Sequence, residues 1–222
     1  HYLKKAKDLK QSDLANYVTH RRVIIDLLQK TIGLLDDGKY AREEMIHELI
    51  MPMQKDSSEV FLDSCNLWLI DERLAFHNYL ASDKTINAMP ISDSASGKEP
   101  DLLSLKVFDN PILVNDQTNF PLASITVVEL KRPMRNDMKE GEDKDPIEQA
   151  LGDVERIREG QVKTKDGFLM PRNDHIPAYC YIVCDLTPTM IKRCKNFSLT
   201  MTADGMGYFG YNPNYKSYIE VI

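Results

Sequence analysis

Ser124-Ile125-Thr126-Val127-Val128-Glu129-Leu130-Lys131 is the stretch on which the reading of this chain turns. Its first five residues are β-branched or small, three of them apolar, the composition of a central strand. The last three then place two charges in it, at Glu129 and Lys131. Successive side chains on a strand alternate between faces, so these two leave from the same face and need a partner there. Upstream, Leu102 to Val107 reads as a neighbouring strand opened by Pro100-Asp101. Acid-x-Lys spacing alone is weak: composition predicts about three such triplets, and the chain has five, at Asp8, Asp37, Glu129, Asp137 and Glu142. Only the one at Glu129 closes an apolar run, and only it follows a Pro-Asp strand start 28 residues earlier. The other four fall in polar helical or loop segments.

The surrounding chain supports an α/β domain. Between Ser12 and Ile32, Leu14, Tyr17, Val18, Ile24, Ile25, Leu28 and Ile32 recur at helical intervals. A second helix is expected from about Tyr40 to Met51, and a third, capped by Ser57 or Ser58, through Val60, Leu69, Leu74 and Leu80. Ile91 to Lys98 is a Ser- and Gly-rich connection. A short strand is expected at Ile112 to Val114, and a charged loop at Arg132 to Glu142. Asp145 with Pro146 and Glu148 forms the start signal of a helix running to about Gly160, with Ile147, Ala150, Leu151, Val154 and Ile157 as its apolar stripe. A strand at Ala178 to Asp185, a short helix over Pro188 to Cys194 and terminal strands near Phe197 to Thr202 and Tyr215 to Val221 complete the order. The expected division is a helical extension over residues 1–65 and an α/β domain over 66–222.

Composition narrows the function classes. The 222 residues carry a net charge of −6, with 42% hydrophobic and 28% charged residues, which suits a globular domain with a real core. An acidic balance argues against a protein that coats nucleic acid through a basic stripe; it does not exclude an enzyme whose site uses carboxylates. No apolar run reaches the length of a membrane span. The four cysteines, Cys65, Cys180, Cys184 and Cys194, have no zinc-finger spacing and read as buried thiols of a cytoplasmic protein. The opening His1-Tyr2-Leu3, with no Met, suggests a domain excised from a longer polypeptide. Phosphate-loop, serine-hydrolase and dinucleotide fingerprints are absent.

At Asp101, Glu129 and Lys131 the sequence resembles the PD-(D/E)xK nuclease superfamily, the restriction-endonuclease-like fold. The resemblance covers about Leu67 to Asp185. It implies a mixed central β-sheet flanked by helices, and hydrolysis of phosphodiester bonds, in DNA, with Mg²⁺ or Mn²⁺. Asp101 and Glu129 would bind the metal, and Lys131 would orient or help deprotonate the attacking water. One branch of the superfamily carries a Gln on the helix after the sheet, matched here by Gln149; that branch continues to a Tyr four residues on, where this chain has Asp153. An acidic residue on a preceding helix is also common in the superfamily, and Glu72 is the pointed candidate for it, with Glu48 as competitor. Arg132 and Arg135 are candidate phosphate contacts.

The whole chain, including Tyr208-Phe209-Gly210-Tyr211-Asn212, is also similar to C-terminal nuclease-like domains that follow a GHKL-type ATPase module in large bacterial proteins, some linked to phage defence. That similarity implies an upstream ATPase domain in the same polypeptide and an antiviral role; homo-oligomerisation is open. The rival reading is a catalytically silent module that binds DNA or oligomerises. His77 as part of an HNH-type site, and Trp68, Tyr208, Phe209, Tyr211, Tyr215 and Tyr218 as a base-stacking platform, are the minor alternatives.

Overall fold

The computed structural model describes residues 2–35, 37–61, 64–89, 96–107, 122–159 and 176–222. Four helices are seen there: α1 (Tyr2–Ile32), α2 (Glu43–Ile50), α3 (Pro146–Glu159) and α4 (Pro188–Asn196). The strands are β1 (Lys55–Asp56), β2 (Tyr79–Ser82), β3 (Leu102–Val107), β4 (Leu122–Leu130), β5 (Ala178–Val183), β6 (Thr200–Met201), β7 (Tyr208–Asn212) and β8 (Ser217–Val221). They form one mixed sheet in the order β1-β2-β3-β4-β5-β8-β7-β6. Only β4–β5 and β5–β8 are parallel; the other neighbours are antiparallel. The chain is thus a mixed α/β protein with a helix at its start.

Strand alternation sorts the core into two halves. Ile125 and Val127 of β4, Leu103 and Leu105 of β3 and Cys180 and Ile182 of β5 pack with Ile147, Leu151 and Val154 of α3 and with Met190 and Cys194 of α4. On the opposite face, Leu102, Val128, Leu130 and Tyr181 bury Ile46, Ile50 and Met51, from α2 and its end, together with Leu67, Leu74 and Leu80. Burial of these apolar side chains is the main force holding the layers together. Residues from Ala41 onward therefore share the core with the sheet, and β1 joins its edge, so the boundary expected at residue 65 cuts through a single packed body.

The expected third helix is not formed among the described residues. Residues 64–78 instead make short 3-10 turns, at Leu67–Leu69 and Glu72–Ala75, before the chain enters β2. Asp56 and Asp71 explain the change. Each carboxylate accepts the backbone N–H two residues on, from Ser58 at 2.9 Å and Arg73 at 2.8 Å, giving the chain a local alternative to helical bonding. At the C-terminus the hairpin partner of β8 is β7 rather than the 197–202 segment, which supplies only the two-residue β6. The strand expected at Ile112 to Val114 lies outside the described residues, as does most of the Ser/Gly-rich connection.

Candidate active site

One step beyond the last β3–β4 pair, Leu102 with Val128, Asp101 comes opposite Glu129. The β3 backbone has ended there, so the Leu130 N–H is taken by the Asp101 carboxylate, Oδ2, at 2.6 Å. On its other edge β4 keeps strand geometry past Leu130, because the Lys131 N–H donates to Val183 O at 2.9 Å. Glu129 and Lys131 consequently leave the same face, the one covered by α3, and Lys131 Nζ donates to Glu129 Oε2 at 3.0 Å. The same ammonium lies 3.7 Å from Asp101 Oδ2 and 3.9 Å from Glu43 Oε1. Glu43, in the first turn of α2, is tied to the site by a second contact, since the Arg132 N–H donates to its Oε2 at 3.0 Å.

The inner part of the site is buried, and three carboxylates meet one ammonium there. Glu129 is 0% exposed and Lys131 7%. Burial pushes the Glu129 carboxyl well above the usual carboxylate range, and the Asp101 charge adds to the shift while Lys131 opposes it. Burial acts on Lys131 in the opposite sense, lowering it, but Glu129, Asp101 and Glu43 together outweigh that and hold the ammonium above its ordinary value. Glu43 is itself raised, by burial first, with Lys131 opposing. Glu129 Oε1 is buried and has no hydrogen-bond partner among the described residues. An unpaired buried carboxylate oxygen is costly, and its position beside Asp101 marks a place where one more positive charge is favoured.

α3 carries two further groups, of which Asp153 acts on the site. Gln149 is half-buried on the turn that follows the helix start, and Asp153 lies one turn on, on the same side of the helix. Asp153 is 1% exposed and acts electrostatically on Glu129. Burial raises its carboxyl to about 6, against a lowering pull from Arg156, whose Nη1 donates to it at 2.8 Å. Arg156 also holds Glu142.

The other expected residues are placed elsewhere. Glu72 is exposed and pairs with Arg21 of α1 at 2.6 Å, and Glu48 accepts the Met53 N–H at 3.3 Å. Neither meets Lys131; the helix acid that does is Glu43, which the sequence reading missed. Its signal was faint: an acid in the first turn of the second expected helix, with nothing in the chain to say that this turn faces the end of β4, 87 residues later (130 − 43). Arg132 is exposed beside the site, whereas Arg135 is engaged by Asp137 at 2.9 Å. His77 Nδ1 bonds the carbonyl of Leu74 within its own turn at 2.8 Å, a structural role. Among the aromatics, Tyr208 is buried, Phe209, Tyr211 and Tyr218 are about half exposed, and Trp68 carries the Arg21 guanidinium over its ring.

Asp101 and Glu129 supply hard oxygen donors of the kind Mg²⁺ and Mn²⁺ prefer. The orphaned Glu129 Oε1 is the feature of the site that a divalent cation fits. Among the described residues, no group of three or more His, Cys, Asp or Glu side chains lies close enough to hold a metal ion; the carboxylates meet at the Lys131 ammonium. All four cysteines are free, and no helix of the described residues is long and apolar enough to cross a membrane. No protein-family model, curated protein or solved structure matches the chain.

Proposed function

We propose that this chain is a nuclease that hydrolyses phosphodiester bonds in DNA with the help of Mg²⁺ or Mn²⁺. The observation that carries the proposal is the buried Glu129, bonded to Lys131 through one oxygen and, among the described residues, left without a partner on the other, directly across from Asp101. Asp101 and Glu129 would hold the cation, with Glu43 at the rim of the same site. A cation held there supplies an acidified water and charge neutralisation at the scissile phosphate.

The protein's own groups divide the remaining work. Lys131, kept as an ammonium by three carboxylates, donates hydrogen bonds and stabilises the developing negative charge; a group whose proton is held this firmly is a poor base. Gln149 would orient water or phosphate by hydrogen bonding through its amide. Arg132, exposed where β4 ends, offers a backbone-phosphate contact with no sequence preference. The role as effector of a larger bacterial protein with an ATPase module rests on the sequence similarity alone.

A second reading has one observation in its favour: the carboxylates of the described residues converge on an ammonium and on no common metal position. Under it the domain is catalytically silent and binds DNA or a second copy. Incubation of supercoiled and linear DNA with the protein and Mg²⁺ or Mn²⁺ separates the two readings. Cleavage that disappears with EDTA, and falls at least about 100-fold in Lys131→Ala and in Asp101→Asn, supports the nuclease. Absence of cleavage with both metals, or cleavage that survives these substitutions, overturns it.

A further inference from the structure

Glu43 reaches the site from a different layer of the molecule than Asp101, Glu129 and Lys131, so something must fix α2 against the strand ends. His47 is one helical turn from Glu43, on the same side of α2, and is only 2% exposed. Its Nε2 lies 2.8 Å from the Oγ of Ser82, the last residue of β2, which is fully buried. The chain then turns at Asp83, which adopts a left-handed φ of 48°, and the Asp83 N–H donates to the carbonyl of Asp101 at 3.0 Å. A continuous path therefore runs from Glu43 through one turn of α2, His47, Ser82 and Asp83 to Asp101, and Lys131 bridges its two carboxylate ends.

We propose that the buried His47–Ser82 hydrogen bond is a positioning device that sets the Glu43 carboxylate against Asp101 and Lys131. The bond is polar and directional in a layer otherwise packed by Ile46, Ile50, Met51 and Leu80. Apolar packing alone tolerates small slides of a two-turn helix, whereas a single buried hydrogen bond specifies one register, because breaking it strands two polar atoms away from water. His47 and Ser82 touch none of the reacting groups. Their effect passes through Glu43, as outer-shell groups orient the ligands of metal sites. This assignment rests on the nuclease reading for its consequence in activity, and on geometry alone for the placement of Glu43.

The Arg132 amide reports that placement without any metal, since its N–H donates to Glu43 Oε2. Hydrogen exchange is followed at Arg132 and, as an internal control, at Lys131, whose N–H is bonded to Val183 O. In His47→Leu and in Ser82→Ala, exchange at Arg132 should rise about tenfold or more while Lys131 stays protected, and His47→Gln, which keeps a donor, should restore part of the protection. Mn²⁺ affinity, titrated on the same proteins, should fall about tenfold in the first two variants. Unchanged protection at Arg132 in the folded variants overturns the proposal. So does loss of the fold in both, because the pair then holds the core rather than a carboxylate. If Arg132 responds while the wild-type protein binds no Mn²⁺, the positioning role stands and the nuclease reading falls.

Discussion

A glutamate with no exposed surface needs either a proton or a cation, and Glu129 has half of each: a raised carboxyl and one bond to Lys131. Removing the ammonium in Lys131→Met leaves Glu129, Asp101 and Glu43 facing one another. The variant should lose about 3 kcal/mol of stability at high pH, and the loss should shrink as pH falls and the raised carboxyls of Glu129 and Glu43 take up protons; a pH series of urea denaturation curves checks this. Asp153 has the opposite sign from a paired surface acid. Its carboxyl titrates at about 6 when folded and near its ordinary 3.8 when unfolded, so the folded state binds the extra proton between these values. Stability should fall by about 3 kcal/mol as pH rises from 4 to above 6, a slope that Asp153→Asn flattens in a pH series of urea midpoints. Glu129 and Lys131 were legible in the sequence because strand alternation is a short-range rule, and Asp101 through the motif resemblance that its Pro-Asp strand start carries. Glu43 was not, because its relation to Lys131 depends on how a helix docks on a strand end, and no local pattern encodes that distance.

At the scale of elements, α3 shows what the sequence states most clearly. Asp145 caps it as expected, its Oδ1 accepting the Ile147 N–H at 2.9 Å, with Pro146 in the first turn. Glu148 departs from the reciprocal capping pattern: its carboxylate accepts the Gly141 N–H at 3.1 Å and an Arg193 Nη2 hydrogen at 2.6 Å. Arg193 of α4 also bonds the buried Asp145, so one carboxylate both caps α3 and ties α4 to it. Asp145→Ala should cost about 3 kcal/mol, more than a cap alone, because it leaves the buried Arg193 with Glu148 as its one carboxylate among the described residues. Thermal melts give the size, and hydrogen exchange should show α4 opening first. The misread helix over residues 57–80 has a comparable cause. Leu74 and Leu80 reach the core while Phe61 and Phe76 stay exposed; Asp56, Asp71 and their bonded backbone amides favour turns over helix, and Asp71 also accepts the Tyr181 hydroxyl of β5 at 2.6 Å. Periodicity counts apolar residues and does not see such bonds.

Across the whole molecule, a mixed sheet is covered by α3 and α4 on one face and by α2 and the turns of residues 64–75 on the other. The site forms where β3 begins and β4 ends, at the place where the two layers meet. This arrangement makes residues 41–56 part of the working body while leaving much of α1 outside it: Leu14, Tyr17 and Val18 are about half exposed or more, and Ile24 is its one fully buried hydrophobic residue among those described. Deletion of residues 1–13 should therefore leave a folded domain with an unchanged melting midpoint, whereas deletion of residues 1–52 should abolish cooperative unfolding, as circular dichroism will show. The central physical claim is that a divalent cation completes the charge balance around Glu129. Calorimetric titration of Mn²⁺ into the wild-type protein and into Glu129→Gln tests it most directly. Saturable binding by the wild-type protein that is lost in the variant is the predicted result; no binding by the wild-type protein, or equal binding by both, contradicts it.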